Sequence, residues 1–323
     1  MSGRIEALRR TADVVHVFGH RGARGVYAEN TMTGFQYAID IGLDAIEVDV
    51  LASRDGVAVL THNPRLWRDI TRDMRGDWLV KDGPLVRNLS FHGLQSYDVG
   101  GIRPGSAYAA LFPEQTGMPG LRIPSLADLC DLIAPLPEFW LNIEIKSFAA
   151  DPLATASPEE LTAMTLRPLR EFGLEERTVV QSFDWRVLRA FRVAAPQVAR
   201  SYLTQIRHGR EPVGANIFPN SPWLDGLALS PADGALPQAV ADLGGQVWCP
   251  YFGDVTEQDV TRAHDLGLLV NVWTVNEVPD FHRMVDIGVD GIITDYPVRA
   301  QQVLAGRGLR WRHDAPMPSV APH

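Results

Sequence analysis

Short apolar runs alternating with amphipathic stretches recur along the whole chain. Runs at 14–19, 45–50, 57–61, 139–145, 178–182, 199–203, 226–229, 246–249, 268–273 and 291–294 have the length and β-rich character of strands. Most are separated by stretches that read as helices, at 31–41, 125–134, 158–172, 184–194, 235–243, 256–266 and 277–286. Ser125 followed by Asp128 resembles a capping box, with aspartate where glutamate is usual. Gly42, Gly173, Gly267 and Gly288 each close a helical stretch, where a left-handed residue is needed. Repeated strand–helix–glycine–strand units imply a parallel sheet. About eight such units in 323 residues predict a (β/α)8 TIM barrel of the α/β class, for which roughly 250 residues is typical.

Two stretches break the rhythm. Only 51–56 lies between the second and third runs, which leaves no room for a crossover helix. At about 3.3 Å per extended residue this stretch could just carry the chain back along the barrel, so a local distortion is expected. Residues 64–124 are rich in Gly, Pro, Arg and Asp and lack periodicity. They are expected to form a loop-rich module inserted after the third strand and covering one side of the barrel mouth. The domain expectation is one barrel domain over 1–302 containing this insertion, with a loose tail over 303–323.

Polar residues inside the strand-like runs carry the candidate chemistry. Residues i and i+2 of a strand share a face, so Glu47 and Asp49 point away from Ile46, Val48 and Val50. Asn142, Glu144 and Lys146 likewise lie opposite Ile143 and Ile145. Acids inside apolar strands are costly unless paired or bound to a cation. Glu47, Asp49 and Glu144 are therefore candidate ligands of one hard divalent cation. The other reading pairs them with Arg21 and Lys146 in an ion network. Oxygen-only ligation with no cysteine nearby suits Mg2+ or Ca2+, with Mn2+ also compatible. His20 and His62 each follow a strand-like run, and an imidazole titrating near pH 6.5 serves as either acid or base at neutral pH.

The composition permits this and narrows the rest. Hydrophobic residues make up 46% and charged residues 21%, values ordinary for a globular protein with a sizeable core. A net charge of −9 argues against general affinity for nucleic acid or an anionic membrane, though not against an anionic substrate. The two cysteines, Cys130 and Cys249, lie in apolar contexts and read as buried free thiols. The first ten residues carry no apolar leader, and no apolar run approaches the roughly 20 residues of a membrane span. The expectation is a soluble cytoplasmic protein without stable membrane insertion, acting on a small molecule, its oligomeric state open.

An ordered set of motifs resembles the glycerophosphodiester phosphodiesterase family. It comprises His20-Arg21-Gly22 with Glu29-Asn30-Thr31, then Glu47-x-Asp49, Asp55-Gly56 and His62, and then Ile123-Pro124-Ser125-Leu126. Glu144-x-Lys146, Gln181-Ser182-Phe183, Trp273-Thr274-Val275-Asn276 and the segment 290–297 complete it, so that it spans about 17–300. Ala28 departs from the usual proline, and Asn63 from the commoner aspartate. The resemblance implies metal-dependent hydrolysis of glycerophosphodiesters to sn-glycerol 3-phosphate and an alcohol. It implies His20 and His62 as acid and base, with Arg21 and Lys146 on the phosphoryl oxygens. Phe183 and Trp273 would line the substrate pocket. Glu29 is expected to orient Arg21 or another basic group near the site rather than to bind metal.

Three carboxylates face a divalent ion, Arg21 and Lys146, so one phosphodiester anion brings that set near neutrality. Which histidine is acid, and whether a neighbouring hydroxyl or water attacks phosphorus, stay open. Alternatives are lysophospholipase D-like activity or a cyclic-phosphate-forming lyase acting on larger lipids. A silent binding barrel is a further alternative, but it would be expected to have lost a histidine or an acid. Asp295 is expected to hold a loop, and Gly22 and Gly25 to permit close backbone approach. His16 is expected to be structural, while His92, His208, His264, His282, His313 and His323 carry no motif.

Overall fold

On several central strands the inward face reads apolar at its start and polar at its end, and this gradient places the site. The computed structural model describes residues 4–206, 215–229 and 235–313. Its strands are β1 (His16–His20), β2 (Ala45–Ala52), β3 (Ala58–Leu60), β4 (Trp140–Ile145), β5 (Thr178–Ser182), β6 (Ala199–Thr204), β7 (Val247–Pro250), β8 (Leu269–Val272) and β9 (Gly291–Thr294). The helices are α1 (Met32–Asp40), α2 (Phe91–Leu94), α3 (Ala107–Leu111), α4 (Leu126–Ile133), α5 (Pro158–Glu171), α6 (Trp185–Ala194), α7 (Leu236–Asp242), α8 (Glu257–Asp265), α9 (Val278–Asp286) and α10 (Pro297–Gly306).

Eight parallel strands close a ring in the order β1-β9-β8-β7-β6-β5-β4-β2, with β2 pairing back onto β1. This is a TIM barrel with helices outside. Ile46, Val48, Val50, Ile143 and Ile145 pack outward against the helices. Phe18, Ala45, Trp140, Val179 and Leu269 fill the lower interior. Two residues further along the same faces stand His20, Glu47, Asn142, Gln181 and Asn271, all buried. Register aligns His20 with Glu47 and Glu47 with Asn142, and one pleat higher aligns Asp49 with Glu144.

The structure corrects the sequence reading at three points. The distortion at 51–56 is a hairpin: β2 overshoots the barrel rim and β3 returns antiparallel beside it. This return brings Thr61 level with Asp49, whose carbonyl accepts from the Thr61 amide at 3.1 Å. Residues 226–229 form no strand: Gly226-Leu227-Ala228-Leu229 holds no β-branched or aromatic residue, and 226–228 are exposed. Residues 297–306 form α10, which extends past the expected start of the loose tail because Val303 and Leu304 are buried. Beyond it the Trp311 indole donates to the Gly42 carbonyl at 2.9 Å. Residues 314–323 lie outside the described residues.

The Ser125–Asp128 capping box is present. The insertion carries two short helices, α2 and α3, and docks on the loop after β1, where Thr116 N–H donates to the Val26 carbonyl at 2.8 Å. That loop needs its glycines. Gly22 has φ +88°, and a Cβ on Gly25 would stand 2.4 Å from the Tyr296 ring.

Candidate active site

The end of β2 and the end of β4 lie side by side, and their inward acids meet. Ligand oxygens of Glu47, Asp49 and Glu144 lie within 4.8 Å of one another, and all three residues are buried. Burial, together with Asp49 and Glu144, pushes the Glu47 carboxyl well above its ordinary range. Burial and nearby Asp49 lift Glu144 despite the Lys146 ammonium. Burial would lift Asp49 as well, but Lys146 and Arg21 outweigh it and hold that carboxyl well below its usual value.

Both cations therefore grip Asp49. Lys146 Nζ lies 3.1 Å from Asp49 Oδ1 and 2.5 Å from Glu144 Oε1, and Arg21 Nε lies 3.0 Å from Asp49 Oδ2. Asn30 adds a donor at 2.9 Å to Asp49 Oδ2. The Arg21 backbone N–H donates to Glu47 Oε2 at 3.0 Å, an approach made from a left-handed φ of 50°. Gln181 Nε2 donates to Glu47 Oε1 at 3.4 Å, and Asn142 Nδ2 donates to Gln181 Oε1 at 3.1 Å.

The donor set suits a hard divalent cation. Three buried oxygen ligands repel one another, and the partners nearby leave two of them with raised affinity for protons; a divalent ion relieves that repulsion. Glu47, Asp49 and Glu144 would hold it. Because bound protons must leave first, Mn2+ affinity is expected to rise with pH above the ordinary carboxyl range, with protons released on binding. Calorimetric titration in two buffers of different ionisation enthalpy checks this; proton-silent, pH-independent binding would place the ion elsewhere.

His20 stands at the end of β1 with Nδ1 2.6 Å from Asp295 Oδ1 and Nε2 3.8 Å from Glu47 Oε2. Asp295 is fully buried, bonded through Oδ1 to Arg24 Nε at 2.8 Å and through Oδ2 to Arg24 at 2.9 Å and Asn276 Nδ2 at 2.8 Å. Against the upward push of burial, Arg24 and His20 keep Asp295 ionised far below the usual carboxyl range. Its carboxylate therefore accepts Nδ1–H and leaves the lone pair on Nε2. Burial pushes the His20 imidazole down to about 4, with Arg24 and Arg21 adding to it against the pull of Asp295.

His62 enters from the hairpin return. Its Nδ1 lies 2.7 Å from Asn63 Oδ1, and burial together with Arg21 and Lys146 pushes it well below its ordinary value. It lines a cavity of about 430 Å3 with Arg21, Arg24, Trp67 and Tyr108.

Of the sequence candidates, His20, Arg21, Glu29, Glu47, Asp49, Glu144 and Lys146 meet in one network. Glu29 Oε1 lies against Arg21 at 2.7 Å, where it orients the guanidinium. Phe183 and Trp273 stand apart from these contacts and pair edge to face at 5.2 Å, with Tyr251 5.5 Å from Trp273. His16 and His313 meet edge to face at 5.4 Å, and His264 pairs with Asp290 at 2.8 Å. His208 and His323 lie outside the described residues. Sequence reasoning gave Asp295 only a loop-holding part and passed over Arg24 and Tyr108. A charged residue directly after β9, at the mouth end of a barrel strand, was the available signal for Asp295.

A family model described as "Glycerophosphoryl diester phosphodiesterase family" matches residues 20–299. The chain belongs to that family. A curated glycerophosphodiester phosphodiesterase of Bacillus altitudinis is 29% identical over 288 residues, covering 89% of this chain and 97% of its own. A solved Silicibacter pomeroyi structure assigned to the glycerophosphoryl diester phosphodiesterases is 43% identical, with TM-score 0.84, and covers 95% of this chain and 99% of its own. An Oleispira antarctica phosphodiesterase, solved with its product sn-glycerol-3-phosphate, shares the fold at 21% identity and TM-score 0.66, covering 90% of this chain and 97% of its own.

Proposed function

We propose that this chain hydrolyses glycerophosphodiesters to sn-glycerol 3-phosphate and an alcohol, using one divalent cation and two histidines. The observation that carries the reading is the buried oxygen cluster of Glu47, Asp49 and Glu144, with His20 beside Glu47 and oriented by Asp295. When bound, Mg2+, Ca2+ or Mn2+ supplies Lewis-acid polarisation of a phosphoryl oxygen.

The side chains do the rest. Arg21 and Lys146 balance charge on the phosphoryl oxygens, Arg21 as a planar fork held by Glu29 and Asp49. His20, its Nδ1–H bound to Asp295, takes on Nε2 the proton of the attacking nucleophile, either water directly or the neighbouring glycerol hydroxyl, whose cyclic phosphate water then opens, and the Asp295 carboxylate stabilises the imidazolium formed. His62 gives a proton to the leaving alkoxide. Burial, Arg21 and Lys146 disfavour its protonated form, and the incoming phosphodiester anion restores it. Five carboxylates (Glu29, Glu47, Asp49, Glu144 and Asp295) face three cations (Arg21, Arg24 and Lys146), and a divalent ion balances them. The single charge of a phosphodiester is then matched by one protonated imidazole. Phe183 and Trp273 offer an apolar face to the glycerol backbone. The relative solved with sn-glycerol-3-phosphate supports that product class.

A second reading, action on lysophospholipids, rests on four exposed apolar side chains of the insertion, Met74, Val80, Leu111 and Met118. One assay separates the readings. Purified protein is given glycerophosphocholine or lysophosphatidylcholine with EDTA, Mg2+, Ca2+ or Mn2+, and the products are followed by 31P NMR. Metal-dependent sn-glycerol 3-phosphate from the first substrate is the expected result. Turnover of the second alone would replace the reading, and a persistent cyclic phosphate would make the protein a lyase.

The described residues contain no helix long and apolar enough to cross a membrane. Cytoplasmic placement and a single catalytic unit that runs through the end of α10 at Gly306 belong to the same proposal. The buried free thiols of Cys130 and Cys249 support the former.

A further inference from the structure

The insertion sends one hydroxyl into the charged network. Tyr108, on α3, is buried and held by edge-to-face contacts with Trp67 at 4.5 Å and Phe112 at 5.1 Å. Its hydroxyl donates a short hydrogen bond to Glu29 Oε2 and accepts from Arg24 at 3.2 Å. On one side Glu29 holds Arg21, which grips Asp49. On the other side Arg24 holds Asp295, which orients His20. A continuous line of side chains thus runs His20–Asp295–Arg24–Tyr108–Glu29–Arg21–Asp49, and Tyr108 is its middle member.

Two features show that the contact is built into the fold. The loop after β1, which carries Arg21, Arg24 and Glu29, is clamped to the same insertion by Gln115 Nε2, which donates to the Arg24 carbonyl at 2.6 Å, and by Thr116 N–H. Arg24 also stacks on the Phe112 ring at 4.5 Å, so the guanidinium and the tyrosine share one aromatic seat. Glu29 and Arg24 have their other polar atoms committed to Arg21 and Asp295. Without the hydroxyl, the buried Glu29 Oε2 and Nη1 of the half-buried Arg24 would each lose this partner.

We propose that Tyr108 is a positioning residue that couples the metal-side pair Arg21–Asp49 to the histidine-side pair His20–Asp295, so that docking of the insertion completes the catalytic geometry. The proposal rests on the hydrolase reading above. It gives the insertion a part in turnover itself, beyond the covering of the mouth inferred from its sequence. Because Tyr108 also lines the cavity, a purely substrate-binding role is the competing explanation.

Tyr108→Phe separates them, since it keeps the ring packing and removes only the hydroxyl. With glycerophosphocholine and Mn2+, kcat is expected to fall about tenfold or more while KM stays within about twofold. Mn2+ affinity by calorimetry is expected to weaken severalfold, a change that a substrate-binding contact alone would not produce. In a Glu29→Gln background the same substitution should cost clearly less than in the wild type. Unchanged kcat and Mn2+ affinity, a loss confined to KM, or losses that multiply fully in the double variant would each overturn the proposal. Thermal melting of each variant identifies a folding defect, and Tyr108→Phe that is folded but fully active is again an overturning result. Wild-type protein is assayed alongside: if it releases no sn-glycerol 3-phosphate, the hydrolase reading fails, while the affinity arm still tests the coupling.

Discussion

His62→Ala is expected to lower kcat for glycerophosphocholine by about 10²–10⁴-fold, the range lost with one positioned acid or base. The loss should depend on the leaving group. Choline departs as a strongly basic alkoxide and needs the proton of His62. A p-nitrophenyl phosphodiester releases a phenolate that needs none, so with that substrate His62→Ala should retain most of its activity. His20→Ala removes the base and should impair both substrates alike. Steady-state rates with the two esters decide the assignment, and equal losses for His62→Ala would show that this residue is not the acid. The environments differ in the matching way. His20 is seated on a buried ionised carboxylate that stabilises a newly gained proton, whereas Nδ1 of His62 faces only the neutral amide of Asn63. His62 also faces the cavity, where an alcohol can leave.

The sequence was legible where it broke its own pattern. Glu47, Asp49 and Glu144 interrupt apolar strands, and strand alternation alone gives them a common inward face; register then sets them side by side. The barrel followed from the strand–helix rhythm, and the family from the ordered motifs, whose span of about 17–300 agrees with the match over 20–299. What stayed hidden broke no local rule. The antiparallel return of β3 depends on how far β2 overshoots the rim, which alternation does not encode. Gly226 to Leu229 is an apolar run, but it holds no β-branched or aromatic residue and lies largely exposed. Asp295 stands just past a strand, where polar residues are ordinary, and its partner His20 lies 275 residues away in sequence. Tyr108 sits in an aperiodic stretch 79 residues from Glu29, and only the docked insertion brings them together.

Asp295→Asn should cost nearly as much as losing His20, about 10²–10⁴-fold in kcat, although it alters no atom that touches substrate. The reason is a donor count. Asp295 Oδ1 accepts from His20 Nδ1 and Arg24 Nε, and Oδ2 accepts from Arg24 and Asn276 Nδ2. Every neighbour is a donor, so an amide NH2 must face a donor wherever it is placed. At the Oδ2 position it would oppose Arg24, which cannot surrender its proton, and Asn276, whose own Oδ1 is already bound to the Asp295 backbone N–H at 3.0 Å. At the Oδ1 position one of the two conflicts can be relieved, because His20 can move its proton to Nε2 and accept at Nδ1. The substitution therefore selects the tautomer whose Nε2 has no lone pair, and the base is lost while the ring keeps its place. The remaining clash with Arg24 Nε is expected to cost about 1–3 kcal/mol of stability, visible as a lower melting temperature. The 15N shifts of the His20 ring read the tautomer directly. Nδ1–H in the wild type and Nε2–H in Asp295→Asn is the expected pair. An inactive variant that kept Nδ1–H would mean that Asp295 acts through charge alone, and a fully active one would remove it from the catalytic apparatus.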